Sequence, residues 1–164
     1  MFQKDLAYSK IERLAGKKQQ DYQELTQLLS ENYLRIKNIF VLLASNSSYP
    51  TVTVNDATEF LRKSALFGKE INLARADQIF IATNVSSHKY KQNSERVLHR
   101  YEFMEFLVRL AQAKYVLTKP SVSLPKAVAM LLDHHIYPNN HAVDGVDFRS
   151  TLLYPNWLIT ELFA

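Results

Sequence analysis

The chain has no cysteine, three glycines, five prolines and one tryptophan. Without cysteine there is no disulfide, no thiolate zinc site and no cysteine nucleophile, a composition that fits a reducing compartment. So few glycines and prolines leave few places to turn, which favours helices over a sandwich of many short strands. Gly16, Gly68 and Gly145 are scattered, so no glycine-rich loop is present to cradle a phosphate. Long apolar runs are missing too. Ile39 to Ala44 and Ala127 to Leu132 are the longest, and both are far too short to cross a bilayer. The opening Phe2-Gln-Lys-Asp has no apolar stretch behind it, so no secretory leader is expected and the reading is a soluble intracellular protein, or a piece of one. Positive charge exceeds negative by four, yet its densest places are only Lys17-Lys18 and the Lys89/Lys91 pair. A nucleic-acid surface needs a basic stripe with aromatics between, so these read as solvated charge.

What is abundant is apolar and aromatic: nine Tyr and nine Phe, enough to exclude a wholly disordered chain. The most regular stretch is His99 to Tyr115. Phe103, Phe106, Leu107, Leu110, Ala111 and Tyr115 step by three and four along one helical face. Glu102 and Glu105 stand early in it and Arg109 and Lys114 late, as the helix dipole favours.

Taken in order, residues 1–15 predict a short amphipathic helix through Phe2, Leu6, Ile11 and Leu14, weakened at Gly16. From Asp21 the positions Tyr22, Leu25, Leu29, Asn32, Ile36 and Ile39 form a second seam, open either to a coiled-coil partner or to the chain's own core. Ser45 to Pro50 is a loop, Thr51 to Val54 a short β-branched run, and Asn55 or Asp56 caps a helix through Leu66 that Gly68 ends. Asn72 caps a helix from Leu73 to about Thr83. Asn84 to Arg96 is a polar loop before the Val97-Leu98 pair and the long helix, which ends before Pro120. Ser121 to Pro125 is a linker, Lys126 to His135 a helix, and Tyr137-Pro138-Asn139-Asn140 its break. A turn at Asp144 to Phe148 precedes helical material from Arg149 to Ala164, kinked or restarted at Pro155.

The chain repeats itself. Asp56, Glu59, Phe60 and Leu61 match Glu102, Glu105, Phe106 and Leu107, and upstream Ile39-Phe40 matches Ile79-Phe80. Helix, loop, mini-strand, acid and helix, twice over, resembles a pair of EF-hands of the calmodulin kind across residues 33–117. The resemblance puts Ala44 and Asn84 at the first loop position, Asp56 and Glu102 at the last, and Val52 opposite Leu98 where the loops pair. It implies an all-α fold: an N-terminal helical arm (1–32), a degenerate EF-hand pair (33–119) and a C-terminal helix-loop-helix (120–164), a third EF-hand-like unit with His141 and Val143 at ligand positions.

A calcium loop is a twelve-residue ring rich in acids. Counting Ala44 through Asp56 gives thirteen residues with Ala44, Asn46 and Ser48 early; Asn84 through Glu102 gives nineteen, carrying Lys89, Lys91 and Arg96. The expectation is therefore no metal, no cofactor and no calcium dependence. Adjacent histidines point about 100° apart on a helix, so His134, His135 and His141 beside Asp133 read as surface residues, not a zinc site. No catalytic constellation stands out, and no enzyme is expected.

The groove between EF-hand helices implies partner-binding positions. Phe60 and Phe106 are read as core, and Leu43, Leu61, Met104, Leu107 and Leu110 as contacts for a partner's amphipathic helix or a neighbouring subunit. No nucleic-acid, membrane or small-molecule partner is expected. Arg100 to Tyr115 also resembles a run in large ciliary and flagellar proteins, which implies a cytoplasmic, axonemal setting. The alternatives are a calcium sensor with an atypical second loop, and a helical structural subunit unrelated to EF-hands.

Overall fold

The computed structural model describes residues 1–16, 18–47, 49–85 and 96–140. The expected Asp144–Phe148 turn, the final helix, the ligand positions His141 and Val143, and most of the Asn84–Arg96 loop lie outside the described residues. The fold is all-α, with one two-stranded ribbon among the described residues.

The N-terminal helix comes as two, α1 (Phe2–Tyr8) and α2 (Ile11–Ala15), because the Ser9 hydroxyl donates back to the Leu6 carbonyl and closes the first. Gly16 then turns with φ +73°, a left-handed conformation that glycine adopts without strain. Helix α3 (Gln19–Ser45) runs unbroken through the expected boundary at 32/33. Leu25, Leu29, Ile36, Phe40 and Leu43 form its buried stripe. Of the two uses open to that seam, the chain's own core takes it. Asn32 accepts a hydrogen bond from the Tyr137 hydroxyl at 2.6 Å, and the Arg35 guanidinium lies 3.4 Å over the Tyr137 ring.

Strand β1 (Val52–Thr53) leads into α4 (Val54–Lys63). The cap is Thr53, not Asn55 or Asp56. Its hydroxyl accepts from the Asp56 N–H and its own N–H donates to the Asp56 carboxylate, so Asp56 closes a capping box from the third helical position. Helix α4 also stops before Gly68. Leu66 donates to the Leu61 carbonyl and Ala65 to that of Arg62, a Schellman closure with Ala65 at φ +51°. Buried Leu61 and Leu66 sit at the two positions whose contact accompanies that closure. Helix α5 (Leu73–Asn84) starts as expected, with the Asn72 side chain accepting from the Arg75 N–H at 2.8 Å.

Strand β2 (Val97–Leu98) pairs antiparallel with β1, placing Val52 opposite Leu98 and Thr53 opposite Val97. Helix α6 (Arg100–Ala111) follows and is buried on nearly every side; α1, α2, α3, α5 and α7 all pack on it. A helix buried all round is the centre of its domain. It widens into a π-turn at Gln112–Val116. Helix α7 (Leu124–Leu131) begins inside the expected linker, with Pro125 in its first turn, where a missing N–H costs nothing. It widens likewise at Leu132–Ile136, and Tyr137–Asn139 adds a last helical turn where a break was expected. Buried residues from Ile11 to Tyr137 form one cluster, so arm, repeat and α7 share a single core.

Candidate functional site

The two halves of the repeat meet at the ribbon, and each half is built alike there. In the first, β1 Val52 is followed by the cap Thr53 and, three residues on, Asp56. In the second, β2 Leu98 is followed by His99 and Glu102. The Thr53 N–H donates to Asp56 Oδ2 at 2.9 Å, and the His99 N–H donates to Glu102 Oε2 at 2.8 Å. Asp56 Oδ2 also accepts from the hydroxyls of Ser47 and Thr53. Burial pushes the Asp56 carboxyl up, and the hydrogen bonds from Ser47 and Thr53 outweigh that and hold it below its usual value. Glu102 is 2% exposed. Both acids thus serve the helix start, with oxygens turned to backbone N–H groups.

Five phenylalanines make ring contacts in the core. Phe103 meets Phe40 tilted at 5.7 Å and Phe60 edge-on at 5.5 Å, and Phe106 meets Phe80 edge-on at 6.0 Å. Phe60 and Phe106 are core, as expected. Leu43, Leu61, Met104, Leu107 and Leu110 do not stand apart from them. All five are buried, with Met104 and Leu61 at 1% and Leu107 and Leu110 at 0% exposure. Helix α7 lies across α3 and α6. It brings Leu124, Ala127, Val128 and Leu131 into the same core. Polar ties hold that segment down: Asn140 donates to Ser64 Oγ at 2.8 Å, and His135 Nδ1 lies 3.2 Å from the Ser64 carbonyl. His135 is thereby committed to packing, and burial lowers its pKa.

Residues 1–15 are fastened to α6 by two ion-pair clusters that periodicity does not reveal. Asp5, 5% exposed, takes Arg100 in a fork, Nε at 2.6 Å and Nη2 at 2.9 Å, and accepts the Tyr33 hydroxyl at 2.5 Å. Burial, then Asp5, pushes the Tyr33 phenol up to about 12. Glu105, fully buried, accepts the Lys10 N–H at 2.8 Å on one oxygen and Arg109 Nε at 2.8 Å on the other. The pairing is polar in both senses, arm acid to α6 base and arm base to α6 acid. Glu105 was legible only as a first-turn charge; its burial follows from the arm lying over it.

Among the described residues, no group of three or more His, Asp or Glu is placed to hold a metal ion, and no helix is long and apolar enough to cross a membrane. The described residues form an all-α arrangement whose central helix α6 is packed against α1, α2, α3, α5 and α7. The chain matches no family model, no curated protein and no solved structure.

Proposed function

We propose that this chain is a calcium-independent protein-interaction or scaffold module built on a degenerate EF-hand pair. One observation carries the reading: Val52 lies opposite Leu98, each followed at the same spacing by a helix cap and an acid. That register joins two loops of different length at the point where the resemblance pairs them. An unrelated helical subunit has no reason to repeat strand, cap and acid in one order and then pair the strands.

Calcium independence rests on what the loops and acids offer. The early loop positions are short of carboxylates, and the two late acids already serve backbone donors. Helix α7 packs on α3 and α6; on this reading it fills the groove that such a pair would offer a partner helix, and the interior holds the module in one shape. The partner is then a protein that meets the outside of a preset body, and the ciliary resemblance of Arg100 to Tyr115 makes an axonemal assembly the setting to test.

Melting in millimolar calcium, in magnesium and in chelator tests the reading. A ligand of the native state adds RT ln(1 + [L]/Kd), about 2.7 kcal/mol at a hundredfold excess over Kd. The expected outcome is one melting temperature in all three, and the same proteins captured from lysate with calcium or with chelator. A rise of several degrees in calcium alone, or capture only in calcium, would turn the assignment to a sensor.

A further inference from the structure

The side chain of Lys10 has a role that the arm's packing does not require. Its Nζ lies 2.6 Å from the Val85 carbonyl, 2.9 Å from that of Thr83 and 3.1 Å from that of Ala82. Ala82 and Thr83 stand in the last turn of α5 and Val85 is its C-cap, where a helix leaves its acceptors unpaired and the dipole gathers negative charge. The same ammonium is 3.5 Å from Glu105 Oε1, and the side chain is only 13% exposed. The ammonium is thus enclosed by three carbonyls and a carboxylate, all oxygen, with the carboxylate oxygen shared with Arg109 Nε at 2.8 Å. The lysine backbone is fixed as well, since its N–H donates to the other oxygen of Glu105.

We propose that Lys10 is a tethered cation, doing for the start of the second loop what a bound metal ion does in a loop that binds one. The comparison with a metal rests on the EF-hand reading; the local claim, that this ammonium holds the end of α5 against α6, does not. The chemistry is matched at each point. Carbonyls and a carboxylate are ligands of hard cations, and an ammonium offers three donors to them. The state of the second half is then set by whether residues 1–15 are docked. Anything that draws the arm away also withdraws the charge from α5, which makes the arm a switch element instead of a passive cover.

The test is amide hydrogen exchange on the whole chain, comparing wild type with Lys10→Met, which keeps the stem without the charge, and Lys10→Arg, which keeps the charge. Lys10→Met should speed exchange at Thr83, Asn84 and Val85 at least tenfold while amides in α3 and α7 change by less than threefold. Lys10→Arg should hold all of them near wild type. Unchanged exchange at Thr83 to Val85 in Lys10→Met, equal acceleration everywhere, or equal loss in both variants would each overturn the proposal. If Lys10→Met does not fold, Lys10→Arg decides alone: kept protection at Val85 supports the tethered charge and lost protection refutes it. Calcium enters none of these measurements, so a wild type stabilised by calcium would end the scaffold reading and leave this one standing.

Discussion

Val52 and Leu98, far apart in the chain, face each other across a ribbon of two residues a side, both with no exposed surface. Cross-strand neighbours this close act as a unit. Leu98→Ala should cost about 2 to 5 kcal/mol, as buried leucine truncations do. The double variant with Val52→Ala should cost less than the sum of the singles, by about 0.5 to 3 kcal/mol. Urea midpoints of the four proteins measure this, and strict additivity would mean that the two side chains do not support each other.

Met104 and Phe106 should behave alike. Both are buried on α6, so Phe106→Ala is expected to cost about 3 to 5 kcal/mol and Met104→Ala about 2 to 5. Either is a large part of the roughly 5 to 15 kcal/mol that holds a domain. Chemical denaturation of the two variants would expose a separate binding surface if Met104→Ala proved nearly neutral.

Ala65 occupies a glycine's place. Its φ of +51° puts a Cβ where the left-handed region costs about 1 to 2 kcal/mol. Glycine removes that penalty and adds back about 0.5 to 1 kcal/mol of chain entropy. Ala65→Gly should therefore stabilise by up to about 1.5 kcal/mol, read as a higher melting temperature; a loss of stability would show that chain entropy outweighs the left-handed penalty at this exposed position.

Alkali should loosen the fold through Tyr33 and Tyr137, both pushed up to about 12. For each, burial favours the neutral phenol; Tyr33 donates to the Asp5 carboxylate and Tyr137 to Asn32. The unfolded chain loses these protons near pH 10 and the folded one near 12, so the unfolded state binds fewer protons between those values. Stability is then full below about pH 10 and falls as pH rises toward 12. Tyr33→Phe and Tyr137→Phe should each flatten that fall, while costing at neutral pH what a lost hydrogen bond costs, about 1.5 to 3 kcal/mol beside a charge and less beside an amide. Melting from pH 8 to 11.5 gives both quantities.

Much of this was legible in short-range pattern. The Asn72 cap and the buried face of α6 follow from residue types at fixed steps, and the Val52–Leu98 register from the resemblance that pairs the two loops. Thr53 went unread as a cap because Asp56, three residues on, carries an equally good capping side chain and in fact closes the box from inside the helix. The end of α4 was displaced toward Gly68 because a left-handed alanine has no mark in sequence. Met104 and Leu107 read as partner contacts because periodicity tells which face is apolar and not what covers it. The cover, α7, comes from a segment whose start reads as a linker. Least legible were the pairings Asp5–Arg100 and Lys10–Glu105, because opposite charges so far apart carry no local signature.

That separation has a consequence for the order in which the molecule comes together. Asp5 and Lys10 each find their partners 95 residues downstream. At about 5 to 20 residues per second, the ribosome delivers those partners roughly 5 to 20 s later. Through that interval the apolar side of the arm, with Phe2, Leu6 and Ile11, has no α6 to rest on. Docking of the arm is thus a late event in biogenesis. A nascent chain stalled between residues 45 and 100 would hold the arm by α3 alone, through Phe2 on Tyr33 and α2 on α3, with its α6-facing side open to whatever chaperone attends it.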